Sequence, residues 1–453
     1  MSWPLTTKRN RAGTIEIGGV ATTELAAAFG TPLYVFDEGT LRERARAMRT
    51  AFESAYARSK MLYAGKAYLS PALMRILAEE GMGLDVVSGG ELYAGVVAGV
   101  EPREMVFHGN NKSRQELSEA VAAGVGLIAV DNDLEIARLD EVAREQDRVV
   151  EVVLRLNPGV DPHTHAKMRT GATDSKFGFP VWDGQADEAA QRVCGSERLR
   201  LVGYHAHVGS QIFDPELVEQ TIEALMDFAA RVRDRHGIAP DVLIPGGGFG
   251  VADDASGADV NVAAWAAAAA AAVRRGCQRY GFPEPLLMVE PGRAVIGPAG
   301  VALYEVGARK RVSGVRTYVS VDGGMADNIR PALYGARYSA QLANREASGE
   351  PVETVTIAGK FCESGDVLIA DAVMPYLAPG DLLAVPMAGA YCLAMASNYN
   401  LAPRPAVVLV NDGEVRLIRR RESYADLLRC EVVEPRAEPG FVSESLSARK
   451  GSL

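Results

Sequence analysis

The sequence predicts an α/β protein: a (β/α)8 TIM-type barrel followed by a C-terminal mostly-β domain. Eight short apolar runs recur at residues 61–64, 84–87, 105–107, 127–130, 149–156, 201–207, 242–244 and 286–289. Helix-like stretches separate them, and Gly, Asn and Pro bound them, as expected of buried parallel strands. Nearly every run ends in polar chemistry: Lys66, Asp85 with Ser88, His108 with Asn110, Asp131, Arg155 with Asn157, His207 with Ser210, Gly246-Gly247-Gly248, and Glu290 with Arg293. Polar groups at the carboxyl ends of eight strands describe the active face of such a barrel.

At 453 residues the chain is long enough for about two domains. Its 48% apolar and 23% charged residues suit a soluble globular protein. The net charge of −10 argues against nucleic acid as a main partner, because phosphate backbones need clustered Lys and Arg. Arg419-Arg420-Arg421 is expected to be a solvated strand end. The five cysteines form no CxxC pair and are odd in number, which points to free thiols in a reducing cytoplasm. No signal segment opens the chain and no apolar stretch approaches membrane-spanning length. The Ala-rich run 263–273 is expected to be a soluble helix stopped by Arg274-Arg275-Gly276.

The barrel is assigned to residues 36–300. Residues 1–35 hold an apolar helix pattern and the start of a strand at 33–36, and they join 301–432 in the β domain. Ser70-Pro71 opens one barrel helix, with Pro at its first position. Ser113 and Glu116 form a capping box for another, and Asp214-Pro215-Glu216 opens the helix after the sixth strand. Segment 157–182 is long for a strand-to-helix loop, a length that usually carries function. After residue 300 strand runs take over at 318–321, 354–357, 382–385, 406–410 and 415–418, with Asn411-Asp412-Gly413 as a hairpin signal. The Pro/Glu/Ser-rich tail 433–453 is expected to fray.

Gly246-Gly247-Gly248-Phe249-Gly250 and Glu290-Pro291-Gly292-Arg293 follow the seventh and eighth strands, where barrel enzymes often bind phosphate. Glycines let backbone N–H groups converge on an anion. A glycine-rich turn alone is as often only a tight turn, and its position here favours phosphate. Lys66 projects into the barrel mouth. A rim lysine in water is the commoner case, but a lysine facing a phosphate site fits a Schiff base with pyridoxal phosphate. Glu290 would then pair with the pyridine nitrogen and keep the ring an electron sink. His205 and His207 face one side of a strand. Metal is not expected, because His108, His163, His165 and His236 complete no clear ligand set. His207 suits stacking on a flat ring instead. Cys362, flanked by Glu363, Ser364 and Asp366, is expected to be functional rather than a buried hydrophobe.

Together these motifs resemble the diaminopimelate decarboxylase family of fold-type-III, alanine-racemase-like, pyridoxal-phosphate enzymes. The matching pieces are Tyr63-Ala64-Gly65-Lys66-Ala67, Asp85-Val86-Val87-Ser88-Gly89-Gly90-Glu91-Leu92, His108-Gly109-Asn110-Asn111-Lys112-Ser113, Arg155-Leu156-Asn157-Pro158-Gly159, Ser175-Lys176-Phe177-Gly178, His207-Val208-Gly209-Ser210-Gln211, the glycine loop and Glu290-Pro291-Gly292-Arg293. In the second domain they are Arg330-Pro331-Ala332-Leu333-Tyr334, Cys362-Glu363-Ser364-Gly365-Asp366, Gly389-Ala390-Tyr391 and Ser397-Asn398-Tyr399-Asn400. Tyr68 stands where many relatives have Asn.

The resemblance implies decarboxylation of meso-2,6-diaminopimelate at its D-centre to L-lysine and CO2. It implies that Lys66 holds the cofactor and His207 stacks on its ring. Ser210, Gly246, Gly247, Gly248, Gly292 and Tyr391 would serve its phosphate, Glu290 its ring nitrogen, and Asp85 and Arg293 its surroundings. Arg293, Arg330 and Tyr334 would hold the distal carboxylate of the substrate, Glu363 its distal ammonium with Tyr391 beside it, and Cys362 would protonate Cα. It further implies a homodimer with shared sites, Cys362, Glu363 and Tyr391 coming from the partner.

Three other readings stand beside it. A sister decarboxylase would act on D-ornithine, D-lysine, arginine or carboxynorspermidine, but the Arg330–Tyr334 motif favours a distal carboxylate. A racemase would place a basic residue, not Glu290, at the ring nitrogen. A non-catalytic cofactor carrier would lack the β domain.

Overall fold

The computed structural model describes residues 3–160, 174–252 and 259–432. Part of the long loop at 157–182, with His163 and His165, and the tail 433–453 lie outside them.

All eight expected barrel strands form: Ser59–Ala64, Gly83–Val86, Met105–Phe107, Leu127–Val130, Val150–Asn157, Leu199–His205, Val242–Ile244 and Leu286–Val289. Each pairs in parallel with the next, and the last returns to the first through Val289 opposite Met61, so the sheet closes. Closure leaves no barrel edge to protect. Residues two apart along a strand share a face. The inner face therefore carries an apolar floor of Leu62, Val106, Ala129, Val153, Val202, Ile244 and Met288. Above it stand the buried polar residues His108, Asp131, Arg155 and Glu290, each two positions further along the chain than its floor residue. A register shift between Leu201 and Gly203 brings His205, three positions beyond Val202, into the same layer.

The helices begin as the sequence signals. Pro71 starts Pro71–Glu79, and Ser113 with Glu116 completes a capping box on Arg114–Ala123. One expectation fails. The Ala-rich helix does not stop at Arg274-Arg275-Gly276 but runs Val262–Tyr280 and ends at Gly281. Gly276 is a packing residue, because a Cβ there would sit 2.6 Å from the Met226 methyl on the neighbouring helix.

The second sheet contains the strands expected after residue 300 and three the sequence reading did not mark, Gly300–Val312, Val367–Pro375 and the two-residue Gln341–Leu342. In Gly300–Val312, five buried residues in a row hide the alternation. In Val367–Pro375, Asp371 at φ 51° interrupts it. Leu33–Asp37 enters this sheet, antiparallel to Gly300–Val312 and parallel to Ala406–Asn411. The hairpin at Asp412-Gly413 joins Ala406–Asn411 to Glu414–Arg419. Arg419 ends that strand and Arg420 is exposed beyond it. No helix among the described residues is long and apolar enough to cross a membrane.

Candidate active site

The carboxyl ends of the barrel strands enclose a recess lined by Ala64, Lys66, His207, Ser210, Gly248, Phe249, Glu290, Gly292, Arg293, Ala294 and Tyr391. Eight of the residues singled out from the sequence thus share one wall system. Lys66 follows the first strand in the short turn Gly65–Ala67. It is exposed at the mouth rather than buried, because the turn lifts it past the end of the strand.

The glycine loop is shaped by close approach. Gly248 has φ +91°, and a Cβ on it would lie 2.3 Å from the Gly209 carbonyl oxygen. A Cβ on Gly247 would lie 2.0 Å from that of Glu290. No larger residue fits either position. The Gly247 N–H donates to His207 Nδ1 at 3.3 Å, and the Glu290 N–H to the Gly246 carbonyl at 3.0 Å. These bonds tie the ends of the sixth, seventh and eighth strands together. Gly246 and Gly247 support this wall from behind.

Beneath the recess lies a charged cluster. His205 Nε2 is 3.3 Å from Glu290 Oε2, and His108 Nε2 is 3.0 Å from Glu290 Oε1 and 3.7 Å from Asp85 Oδ1. The second contact is too oblique for a straight hydrogen bond, so Glu290 Oε1 has no donor of its own. Burial pushes the Glu290 carboxyl up, but His108 and His205 outweigh it and hold it well below the usual range. Burial pulls His205 down to about 3 despite Glu290, so its ring is neutral near pH 7. Burial lifts Asp85, against the pull of His108. Asp85 does not line the recess but stands behind it. Deeper still, Arg155 faces Asp131 at 3.6 Å, and Lys112 donates to Glu135 at 2.6 Å and to the carbonyls of Gly109 and Ala129.

Tyr391 enters from its own chain, not from a partner. Its N–H donates to the Ala67 carbonyl at 2.7 Å, which places it one residue from Lys66 in space. Its ring lies 4.7 Å from the Arg293 guanidinium. The expectation of a partner Tyr391 is corrected by this short tether.

Arg330 is buried and donates to the Tyr338 hydroxyl at 2.9 Å, and that hydroxyl lies 3.4 Å from Cys392 Sγ. Tyr338 and Cys392 carried no sequence signal as site residues. Tyr334 ends the short helix Arg330–Tyr334, half-buried and outside the recess lining. Cys362 and Glu363 are exposed and do not reach the recess. The Cys362 N–H donates to Asn400 Oδ1 at 3.1 Å, and Glu363 accepts from the Tyr399 hydroxyl at 2.6 Å. Buried Asp366 anchors this loop by accepting the N–H groups of Phe361 and Met325. Loop and recess within one chain are therefore separate surfaces.

Sequence reasoning also passed over Glu91. It accepts the Val87 N–H at 2.7 Å, and burial, with Asp85 nearby, lifts its carboxyl to about 7.

The recess fits pyridoxal phosphate: an amine at the mouth, a turn closed to any side chain, and a buried carboxylate oxygen with an unspent lone pair. Residues 38–297 match the family model "Pyridoxal-dependent decarboxylase, pyridoxal binding domain". The chain is 46% identical to diaminopimelate decarboxylase of Bacillus subtilis, covering 94% of this chain and 97% of that one. It is 44% identical to the Mycobacterium bovis enzyme of that name, over 95% and 97%. It superposes on crystalline diaminopimelate decarboxylase of M. jannaschii in complex with L-lysine at a TM-score of 0.88, with 34% identity over 96% and 99% of the two chains. The chain belongs to the diaminopimelate decarboxylase family of pyridoxal-dependent decarboxylases.

Proposed function

We propose that this protein decarboxylates meso-2,6-diaminopimelate at its D-centre, giving L-lysine and CO2, the closing step of lysine biosynthesis. The observation that carries it is the single recess joining Lys66, Gly248 and Glu290, in a chain 46% identical to the Bacillus subtilis decarboxylase.

The Lys66 amine would hold pyridoxal phosphate, and His207 would stack on its ring. Ser210, Gly248 and Tyr391 would bind the phosphate, with Gly246, Gly247 and Gly292 keeping the walls close, and Glu290 would pair with the ring nitrogen. Pyridoxal phosphate held there would supply an electron sink for the pair left at Cα when CO2 departs. Arg293, Arg330 and Tyr334 hold the distal carboxylate, a planar partner for guanidinium groups. Glu363 takes the distal ammonium. Cys362 gives a proton to Cα as general acid.

Cys362 and Glu363 are exposed and remote from their own recess. A homodimer in which each chain lends this loop to its partner reconciles exposure with role. All five cysteines are free, as the reducing cytoplasm allows.

The test is CO2 release from meso-diaminopimelate set against lysine, ornithine and arginine. Gas from the first alone supports the assignment. Gas from a simple diamino acid, or racemisation without gas, overturns it.

A further inference from the structure

We propose that His205 and His108 are positioning residues for Glu290: His205 holds one carboxylate oxygen, His108 stands against the other, and together they keep Oε1 aimed to accept a hydrogen bond from the protonated ring nitrogen of the cofactor. The inference rests on the pyridoxal-phosphate reading above and adds two residues to it.

The geometry separates the two carboxylate oxygens. Oε2 lies 3.3 Å from His205 Nε2 and is hydrogen-bonded to it, whereas Oε1 is buried without a donor in line. A carboxylate tied by one oxygen keeps its plane and offers the other. His108 stands against the free side, 3.0 Å from Oε1, with Asp85 3.7 Å behind its Nε2 and the His205 ring 4.6 Å away. At that distance its ring hinders rotation of the carboxylate.

The type of residue matters. An arginine or lysine here would cancel the charge of Glu290 and compete with the ring nitrogen for it. A neutral imidazole donates one N–H and leaves the charge in place. The Nε2–H tautomer of His205 leaves Nδ1 as a lone pair, in keeping with Nδ1 being buried without a partner. The other titratable groups in reach are Lys66, Arg155, Asp85 and His207. Arg155 is matched by Asp131 at 3.6 Å, so the histidines remain the nearest groups to Glu290.

The experiment is 15N NMR of holoenzyme carrying ring-15N pyridoxal phosphate, followed from pH 6 to 9, with cofactor affinity measured alongside. Wild type is expected to keep a protonated ring nitrogen across this range. His205→Leu and His108→Leu are expected to lose that proton within it and to bind cofactor more weakly by on the order of 10-fold. His205→Gln, whose amide reaches the Nε2 position, should restore the wild-type signal, and His205→Asn, which is too short, should not. Wild-type ring protonation in both Leu variants overturns the inference. Should the Leu variants fail to fold, equal signals in His205→Gln and His205→Asn overturn it, and unequal signals in the expected order support it. A wild-type protein that takes up no cofactor fails the underlying reading instead, so the two failures are distinguishable.

Discussion

The Tyr391 N–H donates to the carbonyl of Ala67 across 2.7 Å. This bond joins the β domain to the three-residue turn that carries Lys66. The two halves of the recess are registered by backbone, not by flexible side chains. Tyr391 holds φ 59° to make it, a left-handed conformation that a non-glycine residue adopts at a cost.

Lys66→Ala should abolish both turnover and the visible absorbance of bound cofactor, because among the described residues no other amine lines the recess. Absorbance spectra of the purified variant with added pyridoxal phosphate check this. Retained wild-type colour would remove Lys66 from its role.

Cys362→Ala should keep the cofactor and lose activity by roughly 100-fold, the usual contribution of a general acid. Random mixing with Lys66→Ala subunits should restore about one quarter of wild-type activity, since half the dimers are hybrids with one intact site. Confirmed hybrids without recovery would mean self-contained subunits.

Gly248→Ala meets two obstacles, φ +91° and the Gly209 carbonyl oxygen at 2.3 Å. The turn must shift, and cofactor affinity should fall on the order of 10-fold or more, as expected for about 1–3 kcal/mol of strain. Fluorescence titration with pyridoxal phosphate measures it, and unchanged affinity would exclude this turn from the phosphate site.

Lys112 and Glu135 form an ion pair in which both side chains are almost wholly buried. Lys112→Met strands the carboxylate and should cost about 3–5 kcal/mol, whereas adding Glu135→Leu should recover much of it. Urea denaturation of the two variants decides, and additive losses would contradict the pairing.

Glu91 carries a pH signature. Its carboxyl is lifted from an ordinary 4.5 to about 7 in the folded chain. Between those values the folded state holds a proton that the unfolded state has lost. Stability should therefore fall as pH rises through this window, by at most about 3 kcal/mol. Glu91→Gln should flatten that part of the profile in thermal melts between pH 4.5 and 7.5, and an unchanged slope would assign it elsewhere.

The barrel was legible because each strand writes its own record: a short apolar run, a boundary and a polar residue at the carboxyl end. Lys66, Gly248 and Glu290 could be read together because strand order alone sends them to one face. The strands Gly300–Val312 and Val367–Pro375 were not legible, since two-sided burial and a positive φ erase the alternation. Nor was the passage of the helix through Gly276 to Gly281, since Met226 on another helix decides what the glycine at 276 means.

By itself the chain determined its barrel strands, its capped helices and the residue types a cofactor needs, because those depend on neighbours a few positions away. Only the tertiary structure decided that His108 and His205 flank Glu290, that Tyr391 serves its own chain and that Cys362 faces outward. Each depends on residues tens to hundreds of positions apart, and sequence spacing carries no measure of that distance.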